Sequence, residues 1–472
     1  MESIALIAAT PLCLALLSLL IPFARVTRIL SATGAWLEMA LLIFIFQPLL
    51  HGSQTHLVFV EPFAVDKLAA YFAILTTGIV ASCLTHACIY FEAESDSNIH
   101  HVKLFYASVN MFLLSMISVF MCDSFGFMWI SIEATTLFSS PLVYFDRTKN
   151  SVEATWKYLI ICSVGIAFAL LGTAFIFASS QHGAIPHGSL TISLLIEHAG
   201  QLNYPLLKLG FIFCLVGYGT KAGIYPLHNW LPDAHSEAPA PASAMLSGAL
   251  LNCALFGIWR ASQLFSPSNR AFMGEMMVWM GVLSTLVASF FLIRQHSLKR
   301  MLAYSSIENV GIMLVAIGIG NGPLFFLQAI NHSIAKASLF LVAGNVTQAS
   351  GTKKLKGLHG LVESSPLWGI LLALGTLAVT GAPPFGSFTS EMLILLATGN
   401  AASWGIAAGL MIAIAVSFIA ICAHIGGILF GSPLPKFQAV QPIRASLIPA
   451  ALLIFSLILG LLIRPEMLGA LQ

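Results

Sequence analysis

The stretch Pro205–Leu227 reads PLLKLGFIFCLVGYGTKAGIYPL. It decides the fold class, because it is apolar for the length of a membrane span and yet contains Lys221. About 20 apolar residues cross a bilayer as a helix. Gly219, Gly223 and Pro226 predict that this helix breaks beside the lysine. A charge at the bilayer centre costs roughly 2.5–3.5 kcal/mol on insertion scales, so a lysine there is expected to have a use. Glu133 upstream, and Glu308, Lys336 and Glu391 downstream, repeat the pattern of an ionisable residue in apolar surroundings.

The rest of the chain agrees with that stretch. Of 472 residues, 58% are hydrophobic and 8% charged, whereas soluble domains carry about 25% charged residues. This composition implies an all-α polytopic membrane protein and excludes a soluble enzyme. A net charge of +2 leaves nucleic-acid binding without support. The eight cysteines form no CxxC pair and lie mostly in apolar segments, as small buried residues rather than iron–sulfur or zinc ligands. No HExxH, Walker A or dinucleotide-binding context is present, so no redox cofactor is expected in this chain. The N-terminus lacks the basic start of a secretory signal and reads as the first membrane helix.

Candidate spans are 3–24, 31–50, 66–91, 103–122, 124–145, 154–179, 205–226, 240–264, 272–293, 301–319, 323–347, 366–399, 403–430 and 444–463, about 14 helices. The segment 366–399 is too long for one plain span, and GAPPFG (Gly381–Gly386) should break it. Counting loops from a non-cytoplasmic N-terminus puts fourteen basic residues on the cytoplasmic side, among them Arg25, Arg28, Lys103, Lys157, Lys299 and Lys436. Five fall opposite: Lys67, Lys208, Arg260, Arg270 and Arg464. That bias orients the chain with both termini outside. The two broken helices, one with Lys221 and one with Glu391, stand five helices apart. Breaks at corresponding positions of two halves are the mark of a transporter built from repeats.

A buried carboxylate at Glu133 needs a partner or a proton. A static ion pair and a proton relay that tunes a nearby lysine are both open. A lysine out of water favours its neutral form, and one beside a carboxylate favours its charged form. Protonating or moving Glu133 would therefore load or release a proton at Lys221, with broken-helix carbonyls helping to solvate the ammonium. His332 and Lys336 share a helix face by their i,i+4 spacing. His332 reads as a core histidine or as a proton carrier. Glu391 is expected to face the interior next to the Pro383–Pro384 break or to cap the helix there. Glu308 is expected near the cytoplasmic end of its helix, in a wet or capping role. Glu38 is expected at the membrane edge or against a neighbouring subunit. The run LHNWLPDAHSEAPAPASAML holds His228, Asp233, His235 and Glu237. Its spacing fits no zinc pattern, which leaves a polar vestibule or a structural turn on the cytoplasmic side.

Together, GTKAGIYPLHNWLPDAHSEAPAPASAMLSG, KRMLAYSSIENVG, INHSIAKASLFLVAGN and GAPPFGSFTSE resemble the antiporter-like subunits of respiratory complex I, Mrp-type cation/proton antiporters and energy-converting [NiFe] hydrogenases. The likeness covers about 100–430. The wording WISIEATTL, EATWKYLIICSVGIAFALLGT and AYSSIENVG is most similar to the hydrogenase-4 component F branch. The resemblance implies two inverted five-helix repeats with broken seventh and twelfth helices, and a proton path near mid-membrane. Its divisions are peripheral helices 1–102, half-channels 103–264 and 265–430, and a C-terminal helix 431–472. It carries Glu133, Lys221, Lys336 and Glu391 into that path. Asn252 stands where many members place a lysine or histidine, and an amide takes up no proton near neutral pH. A relay through the centre would then pass through His332 or through water, with Glu308, His228 and His235 as support. The implied partners are other membrane-arm subunits, the lipid bilayer, H⁺ and a peripheral electron-transfer arm, a [NiFe] hydrogenase with iron–sulfur subunits. The setting is a bacterial or archaeal cytoplasmic membrane. The rival readings are an Mrp-type antiporter, a structural membrane-arm subunit and, remotely, a proton-linked solute transporter.

Overall fold

In lipid every backbone N–H and C=O must be satisfied within the protein, so apolar runs become helices. The computed structural model describes residues 2–92, 99–183, 185, 187–432 and 442–462. Its helices open with α1 (Glu2–Leu20) and α2 (Ala24–Ile45). A two-stranded antiparallel ribbon, β1 (His56–Val58) and β2 (Ala64–Asp66), follows. The first half continues with α3 (Lys67–Tyr90), α4 (Ile99–Met121), α5 (Phe125–Val143), α6 (Lys149–Gln181), α7 (Tyr204–Ala222), α8 (Trp230–Glu237) and α9 (Ala240–Ser262). The second comprises α10 (Arg270–Leu292), α11 (Leu298–Gly318), α12 (Gly322–Ser350), α13 (Pro366–Val379), α14 (Gly386–Ala401), α15 (Trp404–Leu429) and α16 (Leu447–Leu462).

Eleven helices among the described residues are long and apolar enough to cross a membrane. Helices α5 and α7, 19 residues each, fall outside that set, because each gives up hydropathy to the polar residues it carries. The expected break at 366–399 lies between α13 and α14. The ribbon departs from the all-α expectation, since it is too short and too polar to register as an apolar run. A second correction concerns 228–237, where a loop was expected and α8 forms instead, with Trp230, Leu231 and His235 buried. Lys157, inside the expected span 154–179, lies inside α6, which begins earlier, at Lys149, because Thr148 caps it. Lys436 and Arg464 lie outside the described residues.

The centre of the molecule is α9, α11 and α12, which are buried almost throughout, whereas no more than about a third of α1, α2, α15 and α16 is buried. Two helix pairs run in backbone contact. On α6, Gly165 and Gly172 meet α7 at Gly210 and Gly217; a Cβ on Gly172 would lie 2.7 Å from the Cys214 nitrogen. On α10, Gly274 and Gly281 meet Gly311 and Gly318 of α11; a Cβ on Gly281 would lie 2.6 Å from the Gly311 oxygen. Within membranes, where lipid tails are as apolar as leucine, small residues let helices pack this closely. Seven-residue spacing keeps each glycine pair on one face.

Asp66 caps α3, accepting from the Ala69 amide at 2.8 Å, and pairs with Arg260 of α9 at 2.6 Å. Burial alone would raise the Asp66 carboxyl, but the Arg260 guanidinium and the Ala69 amide outweigh it and hold the group below the usual carboxylate range. This contribution is complete above the unfolded value of about 3.9 and is lost as pH falls through the lowered folded value. Arg260→Ala, which strands the carboxylate, is expected to cost about 2 kcal/mol, less than for a fully buried pair. Asp66→Asn should flatten the loss of stability below about pH 4. Thermal melts of the detergent-purified chain at neutral and acid pH check both.

Candidate functional site

The α7 helix ends because Gly223 adopts a left-handed conformation, φ +77°, which a Cβ would disfavour. The break comes two residues after Lys221, ahead of Pro226. Across it, the Trp230 indole of α8 donates to the Thr220 carbonyl at 2.8 Å, satisfying part of the open helix end. Trp230 also packs on the Tyr158 ring, centroids 4.8 Å apart.

Lys221 is wholly buried. Its ammonium donates to Thr136 Oγ1 and to Tyr158 OH, each at 2.7 Å, and sits 4.7 Å from the centroid of the Tyr158 ring. Glu133 does not touch it directly, contrary to the expectation of a simple pair. Instead the Thr136 hydroxyl donates to Glu133 Oε2 at 3.3 Å while accepting from Lys221. The i,i+3 spacing on α5 places Glu133 and Thr136 on one face. Ser163 of α6 donates to Glu133 Oε1 at 2.8 Å. Tyr158 OH in turn lies 2.6 Å from Ser139 Oγ, which donates to the Thr135 carbonyl at 2.6 Å. A continuous hydrogen-bonded chain therefore joins a carboxylate, a hydroxyl, an amine and a phenol.

In the second half, Lys336 of α12 is equally buried. Its ammonium donates to the Leu302 carbonyl at 2.9 Å and to Ser305 Oγ, both on α11. Glu308 lies one turn beyond Ser305, in the middle of α11 and buried, which overturns the wet or capping position expected for it. Glu391 is buried in the second turn of α14, whose N-cap is Phe385, so the capping alternative fails. Glu391 lies against Gly381, φ +65°, and lines a cavity of about 290 Å³ with Phe388, Met392, Met411 and Phe418. Beside it, Ser390 donates to Gln328 Oε1 at 2.5 Å, and Gln328 donates to Asn309 Oδ1 at 2.8 Å. Asn331 donates to the Gly386 carbonyl at 2.9 Å, holding the open start of α14.

Between the halves, α9 widens into a π-helical turn at Leu246–Leu250, just before Asn252. Such turns recur at functional sites. Asn252 donates to Ser333 Oγ of α12 at 2.9 Å, and its own Oδ1 is buried without a partner among the described residues. His332, next to Ser333, is buried, and among the described residues both its ring nitrogens lack a hydrogen-bond partner, Lys336 included. Both ring nitrogens of His235 likewise lack a hydrogen-bond partner among the described residues, and the ring stacks on Phe340, centroids 5.3 Å apart. His228 is buried among the rings of Tyr225, Phe291 and Tyr304. Asp233 and Glu237 of α8 pair with Lys157, Arg300 and Lys353 at 2.5–3.1 Å. Glu38 is wholly buried within the chain, not at its edge.

Sequence reading missed Thr136, Tyr158, Ser163, Ser305, Gln328 and Ser390, because hydroxyl and amide side chains are common in membrane helices. Only the i,i+3 spacing of Glu133 and Thr136 could have flagged one of them. It also missed Lys299, which buries its ammonium against the Ala238 carbonyl at 2.7 Å, at the C-terminal end of α8, where a helix favours positive charge.

Two broken helices that carry ionisable residues into a hydrogen-bonded interior define an antiporter-like membrane subunit. The chain belongs to the NADH:quinone oxidoreductase/Mrp antiporter family, whose transmembrane profile matches residues 122–420. It is accordingly an integral, multi-pass membrane protein. It is 38% identical over 403 residues to a hydrogenase-4 component F homolog of Methylacidiphilum infernorum, covering 84% of each chain. Its fold matches a chain of the membrane-bound sulfane sulfur reductase, an archaeal respiratory membrane complex, with a TM-score of 0.86 at 21% identity, covering 99% of this chain and 95% of that one. It also matches a chain of respiratory complex I from Thermus thermophilus with a TM-score of 0.80 at 24% identity, covering 99% of both.

Gly381→Ala would force a Cβ into the Glu391 carboxylate at a left-handed backbone position. The variant is expected to lose about 1–2 kcal/mol from backbone strain and displacement of the glutamate. A thermal melt of the purified chain reads that loss.

Proposed function

We propose that this chain is a proton-translocating subunit of an energy-converting oxidoreductase complex of the hydrogenase-4 or complex I type, driven by electron transfer in partner subunits. The observation that carries the reading is the single hydroxyl between Glu133 and Lys221. A proton can leave Lys221 Nζ for Thr136 Oγ1 as the Thr136 proton passes to Glu133 Oε2. The amine becomes neutral and the carboxylate becomes an acid, with no charge left stranded in the interior. Reversing the step reloads the lysine. The second half, with Lys336, Glu308 and Glu391, would pass protons onward through Ser305 and the Gln328–Ser390 bridge. Asn252 and His332 would link the halves through water held at their unpartnered atoms.

On this reading the eleven spans, α5, α7 and the broken pair α13–α14 make fourteen crossings, with two inverted five-helix repeats over 103–264 and 265–430. Residues 1–102 and 431–472 flank them. The setting is a bacterial or archaeal cytoplasmic membrane with both termini on the non-cytoplasmic side. Membrane-arm neighbours and an electron-transfer arm of the [NiFe] hydrogenase kind would hold the redox cofactors, and this chain none. Support comes from the 38% identity to a hydrogenase-4 component F homolog.

The intact complex in proteoliposomes tests the reading through dye-reported acidification. Lys221→Ala should abolish pumping while the complex still assembles. Thr136→Val removes only the hydroxyl and should slow pumping at least about tenfold, within the range of a lost proton-transfer group. Thr136→Ser should restore it. Full pumping by the valine variant would sink the relay.

A further inference from the structure

The turn between α1 and α2 opens on a cavity that no part of the proton path uses. It is about 620 Å³ in volume and is lined by Phe23, Arg25, Arg28, Glu92 and Arg444, among others. Arg25 and Arg28 lie in the first turns of α2. Acidic residues are absent from that first turn, and the N-cap, Phe23, has no side chain that could accept from the free amides. Cations at a helix N-terminus oppose the helix dipole, and the free N–H groups there favour an anion. Among the described residues neither arginine has an ion-pair partner, and Arg28 Nε is buried without any hydrogen bond. Arg444, ahead of α16, is paired with Glu92 at the end of α3. Among the described residues, one carboxylate thus faces three guanidinium groups, two more positive charges than it can balance.

The walls around this cluster are apolar and open. Phe23 is 66% exposed and Ile29 49% exposed, on the outward faces of helices that cover little of the core. A charged, uncapped helix start flanked by exposed apolar faces matches a molecule with an anionic head and hydrocarbon tails. Guanidinium groups bind phosphate oxygens in pairs, and basic pockets between membrane helices bind anionic lipid head groups.

We propose that Arg25, Arg28 and the amino end of α2 form a binding site for a phosphate group, carried by an anionic phospholipid whose acyl chains lie along Phe23 and Ile29. Free phosphate shares the head-group chemistry, so the test separates the two sources. The purified intact complex is exchanged into nanodiscs of phosphatidylcholine with or without phosphatidylglycerol. Arg25 and Arg28 are then probed with phenylglyoxal, with the modified peptides read by mass spectrometry. Protection at least threefold greater with phosphatidylglycerol than with phosphatidylcholine alone supports the lipid site. Protection by millimolar inorganic phosphate in phosphatidylcholine nanodiscs, with none from phosphatidylglycerol, would assign the site to the free anion and overturn the lipid. Equal modification under all three conditions overturns the site altogether. As a second measurement, Arg25→Gln/Arg28→Gln should lower the anionic phospholipid retained by the detergent-purified complex by about one molecule per chain, and Arg25→Lys/Arg28→Lys should retain it. Unchanged retention in the glutamine variant also overturns the proposal. If that variant fails to assemble, the wild-type protection assay decides alone.

Discussion

A lysine ammonium buried among apolar helices must find oxygen atoms, and everything near the centre of this protein is arranged around that need. Lys221 meets two hydroxyl oxygens and an aromatic face. Lys336 meets a backbone carbonyl and a serine. Neither is held by a carboxylate in direct contact. A direct ion pair in a low-dielectric interior would bind its proton in place, whereas neutral oxygens solvate the charge and leave it free to leave. The broken helix follows from the same need. It frees carbonyls and brings Trp230 against Thr220 and Tyr158.

The two halves meet this constraint differently. In the first, a carboxylate, a threonine, a lysine and a tyrosine form one hydrogen-bonded string. In the second, Lys336 faces α11 while Glu391 stands apart, across the Gln328–Ser390 bridge. Between them, Asn252 and Ser333 make a contact with no titratable member. The unpartnered atoms of Asn252, His332 and His235 gather in the same central region of α8, α9 and α12. Buried polar atoms of that kind are normally satisfied by ordered water.

Most of the membrane architecture was legible in the sequence, because hydropathy reports burial in lipid directly. The breaks at Gly223 and between Val379 and Gly386 were legible for the same reason: glycine and proline have few places in a plain span. The positions of Glu38 and Glu308 were not. A lone acid in an apolar run is compatible with the edge, the end or the middle of a bundle, and only packing decides. The run from His228 to Glu237 misled because prolines and polar residues suggest a turn, while α8 is stabilised by tertiary contacts that local composition does not encode. The Thr136 bridge needed three-dimensional proximity between α5 and α7, which no local pattern carries.

The glycine seams between α6 and α7, and between α10 and α11, set a limit on how this protein can move. Where backbone touches backbone there is no compressible layer of side chains, so neither pair can slide or rotate without collision. The rigid pairs act as rails. Lys221 stands on one of these rails, and Lys336 reaches the other through Leu302 and Ser305 of α11, so rearrangement around either ammonium falls to side chains and not to the helices that hold them.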